Sequence, residues 1–216
     1  MAKQIFSLGL DYENQRVYDR VTGLDLPIVN HWGGGEYSPI IIENGKPTLD
    51  LINSVYRYNI PHDSKFDSSM NDEYNGDFII NLKASGLYAT ESEILFGVRD
   101  YGTLATALGS NHFSMHIQFS ETTPGVNINW NGDANWHTYR IIRKGGIVCF
   151  TIDGIEIGKQ ETTKEYKYNQ TPIGLFYLND VRDNTYWFPW HGKVQKFEWY
   201  KGKINTFLYD NLKIGD

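Results

Sequence analysis

The stretch WHTYRIIRKGGIVCFTIDGIEI, residues 136–157, reads as two β-strands joined at Gly145-Gly146 and followed by a second tight turn at Asp153-Gly154. A Gly-Gly pair supplies the positive φ that a two-residue hairpin needs, and Asp-Gly is among the strongest short-range hairpin signals. In the second strand Val148, Phe150 and Ile152 alternate with Ile147, Cys149 and Thr151, so one face can pack inward. The hairpin places the chain among all-β sandwiches. What a sandwich does is a separate question.

Outward from the hairpin, strand patterns and turns recur with little helix. Residues 4–10 put Phe6, Leu8 and Leu10 on one side, 54–60 ends at Pro61, and 77–82 (DFIINL) is firmer. Residues 94–98 alternate, with Ile94, Phe96 and Val98 on one face. The cleanest alternation is 114–120 (SMHIQFS), with Met115, Ile117 and Phe119 inward, and 126–130 follows it. Residues 172–178 and 193–200 complete at least ten candidate strands. Residues 18–23 (YDRVTG) are turn-rich, and 31–38 (HWGGGEYS) form a glycine loop carrying two aromatics. No linker, low-complexity run or repeat divides the chain. One domain over 1–204, with 205–216 as a C-terminal extension, is the simplest organisation.

Composition agrees. A chain of 216 residues suits one large all-β unit and buries about 70 % of its unfolded surface without disulfide staples. Aromatics make up 15 % of it, with 15 Tyr, 6 Trp and 21 Gly, a mixture that favours strands and tight turns. The net charge of −6 and pI near 5.5 argue against nucleic acid, which needs a basic surface. Acidic polysaccharides and anionic membranes are disfavoured on the same ground. Cys149 is the single cysteine, mid-strand among apolar residues, and reads as a buried inert thiol. No intramolecular disulfide can form, so nothing marks an oxidising compartment. The N-terminus lacks the apolar run and cleavage site of a signal peptide, and no stretch approaches the ~20 apolar residues that span a bilayer. A soluble chain without an export signal or membrane insertion is expected.

Four segments in order carry a family resemblance. They are 59–66 (NIPHDSKF), 77–80 (DFII), 135–139 (NWHTY) with Asp153-Gly154, and 192–197 (GKVQKF) with Tyr200. Together they resemble the concanavalin A-like jelly rolls, in the laminin-G-like and pentraxin-like branch, over roughly residues 5–204. The resemblance implies a two-sheet antiparallel jelly-roll sandwich. It also assigns Trp136 to the core and Asp153 to a turn, as parts of the scaffold.

Catalysis has little to stand on. Hydrolases of this fold carry a Glu-x-Asp-x-x-Glu or Glu-x-Asp-x-Glu strand, whose alternate positions set nucleophile and acid across the scissile bond, and no such pattern occurs. Glu91-Ser92-Glu93 has the spacing but precedes the apolar 94–98 strand and reads as a solvated strand end. No Ser/His/Asp signature, paired-His metal motif or phosphate loop appears.

Binding has better candidates. Residues 184–191 (NTYWFPWH) gather Tyr186, Trp187, Phe188 and Trp190 just before the closing strand. Aromatic faces stack on the C–H faces of pyranose rings while amides and carboxylates bond the hydroxyls. Asn179, Asp180, Asp183 and His191 supply such polar groups, and Trp32 in the glycine loop is a further candidate. The turn at 130–133 (WNGD) is another. Calcium would need several oxygen ligands. Asp180 and Asp183 are the available ones, and no other cofactor is indicated. The alternative is that this aromatic segment folds over the core or forms a protein interface.

Domains of this branch usually work outside the cell, and the resemblance extends to bacteriophage tail, baseplate and capsid accessory proteins. A virion protein, assembled in the host cytoplasm, would need neither signal peptide nor disulfide. The expected function is therefore a non-catalytic carbohydrate-binding module recognising cell-surface polysaccharide through Tyr186, Trp187 and Trp190. The alternatives are a structural subunit contacting other virion proteins and, third, a glycan-cleaving hydrolase or lyase with an unrecognised carboxylate pair.

Overall fold

The computed structural model describes residues 2–30, 39–54, 56–60, 77–86, 96–99, 105–106, 133–161, 174–180, 185–187, 190–202 and 204. The expected strands at 114–120 and 126–130, the glycine loop and the C-terminal extension lie outside the described residues.

Every regular element among the described residues is a strand. In chain order they are β1 (Lys3–Asp11), β2 (Arg16–Asp19), β3 (Ile28–Asn30), β4 (Ile40–Glu43), β5 (Lys46–Asp50), β6 (Tyr56–Asn59), β7 (Phe78–Gly86) and β8 (Phe96–Arg99). There follow β9 (Ala105–Thr106), β10 (Trp136–Lys144), β11 (Ile147–Ile152), β12 (Ile155–Glu161), β13 (Gly174–Leu175), β14 (Leu178–Asp180), β15 (Thr185–Trp187) and β16 (Gly192–Lys201). The larger sheet runs β12-β11-β10-β7-β16-β1-β2, with β5 also on β16 and β4 on β5. The smaller runs β15-β14-β8-β13-β6-β3, with β9 on β8. All pairings are antiparallel except β14 on β8.

The expected two-sheet sandwich is present, and its core is aromatic. Phe96 of the smaller sheet meets Phe197 at 5.2 Å and Trp199 at 5.8 Å, both edge to face, on β16 of the larger. Such pairs contribute about 0.5–1.5 kcal/mol each beyond their area burial. Phe6, Leu8 and Leu10 are buried together on β1, as the alternation implies. The opening hairpin forms as read, with Gly145 and Gly146 at φ +55° and +83° and the Asp153-Gly154 turn at +49° and +80°.

Two features break the simple period of two. On β16 the register slips between Val194 and Lys196, and the inward set changes from Gly192 and Val194 to Phe197 and Trp199. One extra residue, Gln195, turns the strand over without ending it. The stretch 172–178 is two strands, not one, because Phe176 takes φ +67° between β13 and β14. The β4–β5 hairpin carries no strong alternation, yet its Asn44-Gly45 turn, at φ +52° and +73°, is a textual hairpin signal of the strongest kind.

Candidate functional site

The aromatic segment separates into three parts. Leu178 pairs with Trp187, Asn179 with Tyr186 and Asp180 with Thr185, so β14 and β15 form a hairpin at the edge of the smaller sheet. Asn179 and Tyr186 thus occupy one register position. Asp183 and Trp32 lie outside the described residues. His191 is half-buried just ahead of β16.

Trp190 departs from expectation. It is 2 % exposed and belongs to the main core cluster, so its ring faces are spent on protein and cannot stack on a sugar. Its backbone N donates to the Phe176 carbonyl at 2.8 Å. Its ring lies against two glycines paired across strands, Gly86 and Gly192. A Cβ on Gly86 would come 3.0 Å from that ring. One on Gly192 would come 2.6 Å from Trp190 Nε1 and 2.1 Å from the Ser85 carbonyl. Only glycine fits there.

On the other side of this glycine pair is a cleft of about 310 Å³. It forms where β10 begins, β7 ends and β16 begins. The register rows Trp136–Ser85 and Ser85–Lys193 set three of its side chains on the outer face of the larger sheet. Glu43, at the end of β4, closes it from the side, and Ile52, Ala134 and Asn135 complete the wall with Gly86 and Gly192. Trp136 is therefore half-buried at the cleft and is not the core residue that the family resemblance implied. Alternation already held this signal: Tyr139 and Ile141 point inward, so Trp136, an odd number of residues away from them, points out.

Glu43 organises the cleft. Its Oε2 takes an ion pair from Lys193 Nζ at 2.6 Å, and its Oε1 accepts from Trp136 Nε1 at 3.3 Å. The bond from Lys193 holds the Glu43 carboxyl below the usual carboxylate range, against burial, which alone would raise it. The result is an ionised acceptor beside an aromatic ring, an ammonium group, the Asn135 amide and the Ser85 hydroxyl. Such a set suits a ligand rich in hydroxyls.

The rim is held by His137. Its Nδ1 lies 2.7 Å from Asp153 Oδ2 and its Nε2 2.8 Å from Asp133 Oδ1. Burial pulls the ring's pKa down, but the bonds to the two carboxylates outweigh it and the net shift is upward. Only the imidazolium donates from both nitrogens. Asp133 Oδ1 also accepts the Asn135 backbone N–H at 2.7 Å, so this cluster fixes the segment that enters the cleft. Among the described residues no group of three His, Cys, Asp or Glu converges as a metal site. No described helix is long and apolar enough to cross a membrane.

Comparison with solved structures finds the same architecture elsewhere. The binding domain of botulinum neurotoxin serotype D/C superposes with a TM-score of 0.64 at 13 % identity, over 97 % of this chain and 52 % of that one. The chain thus spans about half the length of that domain. A botulinum neurotoxin type C structure, described by its dependence on two ganglioside molecules for cell entry, gives 0.63 at 12 % identity, over 97 % and 51 %. Domain 4 of an extracellular arabinanase from Geobacillus stearothermophilus, in complex with arabinotriose, gives 0.57 at 13 % identity, over 94 % and 95 %. The fold shared with these structures is a two-sheet β-sandwich. No family model and no curated protein matches the sequence.

Proposed function

We propose that this protein is a non-catalytic glycan-binding module and that the cleft around Trp136 is its combining site. The observation that carries the reading is one constellation: an accessible indole, an ionised carboxylate, an ammonium, an amide and a hydroxyl around about 310 Å³. The named neighbours support it, since one is in complex with arabinotriose and another depends on gangliosides. Among the described residues Glu43 is the one carboxylate lining the cleft, and Lys193 keeps it ionised, as befits a hydrogen-bond acceptor for hydroxyls. Glycoside hydrolysis calls for two carboxyl groups across the bond.

Calorimetric titration with arabinotriose and with the oligosaccharide of a ganglioside tests the proposal. Trp136→Ala should abolish binding and leave the fold intact by circular dichroism, and Asn135→Ala should weaken it. Binding that ignores both substitutions would refute the cleft as the site.

The β14–β15 hairpin is a second candidate surface, favoured by the register that sets Asn179 opposite Tyr186 at a sheet edge. In this reading Asn179, Asp180, Asp183, Tyr186, Trp187 and His191 contact sugar, with calcium on Asp180 and Asp183. Chelator would then weaken binding, and Trp187→Ala would abolish it. For the cleft, chelator should have no effect. A place on a phage particle, whether for glycan recognition or as a structural subunit, is a finer proposal that rests on the resemblance in the sequence, and the neighbours add nothing to it.

A further inference from the structure

One register step from the cleft the larger sheet carries a cation with no ion pair among the described residues. Lys196 lies directly opposite Lys83, and Thr138 lies on the other side of Lys83. Residues 83 and 85 of β7 share a face, so Lys83 and Lys196 stand in the row beside Trp136, Ser85 and Lys193, at about 7 Å along the strand. Directly opposed like charges destabilise a sheet. The nearby carboxylates are already engaged. Glu43 holds Lys193 at 2.6 Å. Glu198 takes Lys196 at 3.3 Å, and also the Tyr200 hydroxyl at 3.2 Å and Asn81 Nδ2 at 3.4 Å. Asp50, in register with Lys193, accepts the Ile52 N–H at 3.0 Å. Lys83 makes no ion pair with any described residue, although it is half-buried on a central strand. In a chain of net charge −6 this row gathers three lysines, of which Lys193 and Lys196 are ion-paired.

We propose that the cleft is selective for carboxylated glycans, with the sugar ring against Trp136 and its carboxylate received by Lys83 and Lys196. The proposal rests on the glycan-binding reading above and names its ligand class. A ligand carboxylate gives Lys83 a counter-ion beside Lys196, which Glu198 already holds at 3.3 Å, and the low dielectric of a half-buried face strengthens the attraction. The overall acidity of the chain, which alone argues against acidic polysaccharides, acts over distances that physiological salt screens beyond about 8 Å. At the face itself the register decides.

The test compares 3′-sialyllactose and trigalacturonate with lactose and arabinotriose, on wild type, Lys83→Met and Trp136→Ala. Wild type should bind the acidic probes at least about tenfold more tightly, and the preference should shrink as salt rises. Lys83→Met should weaken the acidic probes far more than the neutral ones and so abolish the preference. The free variant should melt at the same temperature as wild type or higher, because the substitution removes a like-charge pair. Equal affinity of wild type for acidic and neutral probes overturns the charge selectivity while leaving the glycan site standing. So does equal weakening of both classes by Lys83→Met. If none of the four probes binds, or if Trp136→Ala leaves all binding intact, the glycan reading falls and the selectivity with it.

Discussion

Lys193 Nζ and Glu43 Oε2 lie 2.6 Å apart across 150 residues of sequence, and their pairing closes one wall of the cleft. Each side chain is about a quarter exposed, so the pair is neither a loose surface bridge nor a desolvated one. Glu43→Gln keeps the shape and removes the charge. The expected cost is about 1 kcal/mol at neutral pH. The pH dependence has a definite sign. Because the folded state depresses the Glu43 pKa, its contribution is present above the unfolded carboxylate value of 4.5 and disappears as pH falls through the folded one. Urea midpoints from pH 7 to pH 3 should therefore converge for wild type and Glu43→Gln at the acid end. Parallel curves would show that the ion pair adds no stability.

His137 gives the opposite sign. Its pKa is raised in the folded state, so its contribution is full below the unfolded value of 6.5 and is lost as pH rises through the folded one. Asp153→Asn removes one of the two acceptors and should lower the His137 pKa, which ring-proton chemical shifts report directly. The same loss should loosen the Asp133–Asn135 turn that leads into the cleft. Glycan affinity should then decline above the His137 pKa in wild type, and at lower pH in Asp153→Asn. A flat affinity profile across that range would separate the rim cluster from binding.

Trp190 and Trp136 should respond differently to the same substitution. Trp190→Ala empties a core position and should cost about 3–5 kcal/mol, whereas Trp136→Ala removes a half-buried ring and should cost much less. Gly192→Ala should destabilise by at least about 1–3 kcal/mol, because the nearest atom to the new Cβ is the Ser85 carbonyl, and backbone cannot swing aside. Thermal unfolding of the three variants ranks them. Trp136→Ala melting below Trp190→Ala would reverse the assignment of core and site.

Much of this was legible in the chain, and what was not has a physical cause. The hairpin at 136–157 and the inward row of β1 follow from turn chemistry and a period of two, both local properties. The break at Phe176 was not legible, because a phenylalanine at positive φ is held there by tertiary contacts that no local preference encodes. Alternation could place Trp136 outside, but only the folding of β4–β5 onto β16 brings Glu43 to it. Tyr186 and Trp190 sit four residues apart in one aromatic run, and composition could not tell the edge strand from the core. The cation pair is invisible in a net charge of −6, since Lys83 and Lys196 meet only through the register of β7 with β16.

Arg57 supplies the last expectation. It is fully buried, and its guanidinium donates to carbonyls that include Phe176 at 3.0 Å, Ser54 and Tyr56 at 2.7 Å, and Trp190 at 2.6 Å. Two of these belong to the segments that flank the β14–β15 hairpin, so the arginine fastens both of its ends to β6. Arg57→Met preserves much of the volume but takes a donor from the buried Ser54 and Trp190 carbonyls and from the part-buried Tyr56 one, while the Phe176 carbonyl keeps the Trp190 N–H. Each orphaned group costs about 1–3 kcal/mol, so the variant should lose at least about 3 kcal/mol. The damage should also be local before it is global. Amide exchange at Trp190, whose N–H bonds the Phe176 carbonyl at 2.8 Å, should accelerate more than exchange in β10 and β11. Uniform acceleration across the chain would mean that Arg57 supports the whole sandwich and not this corner of it.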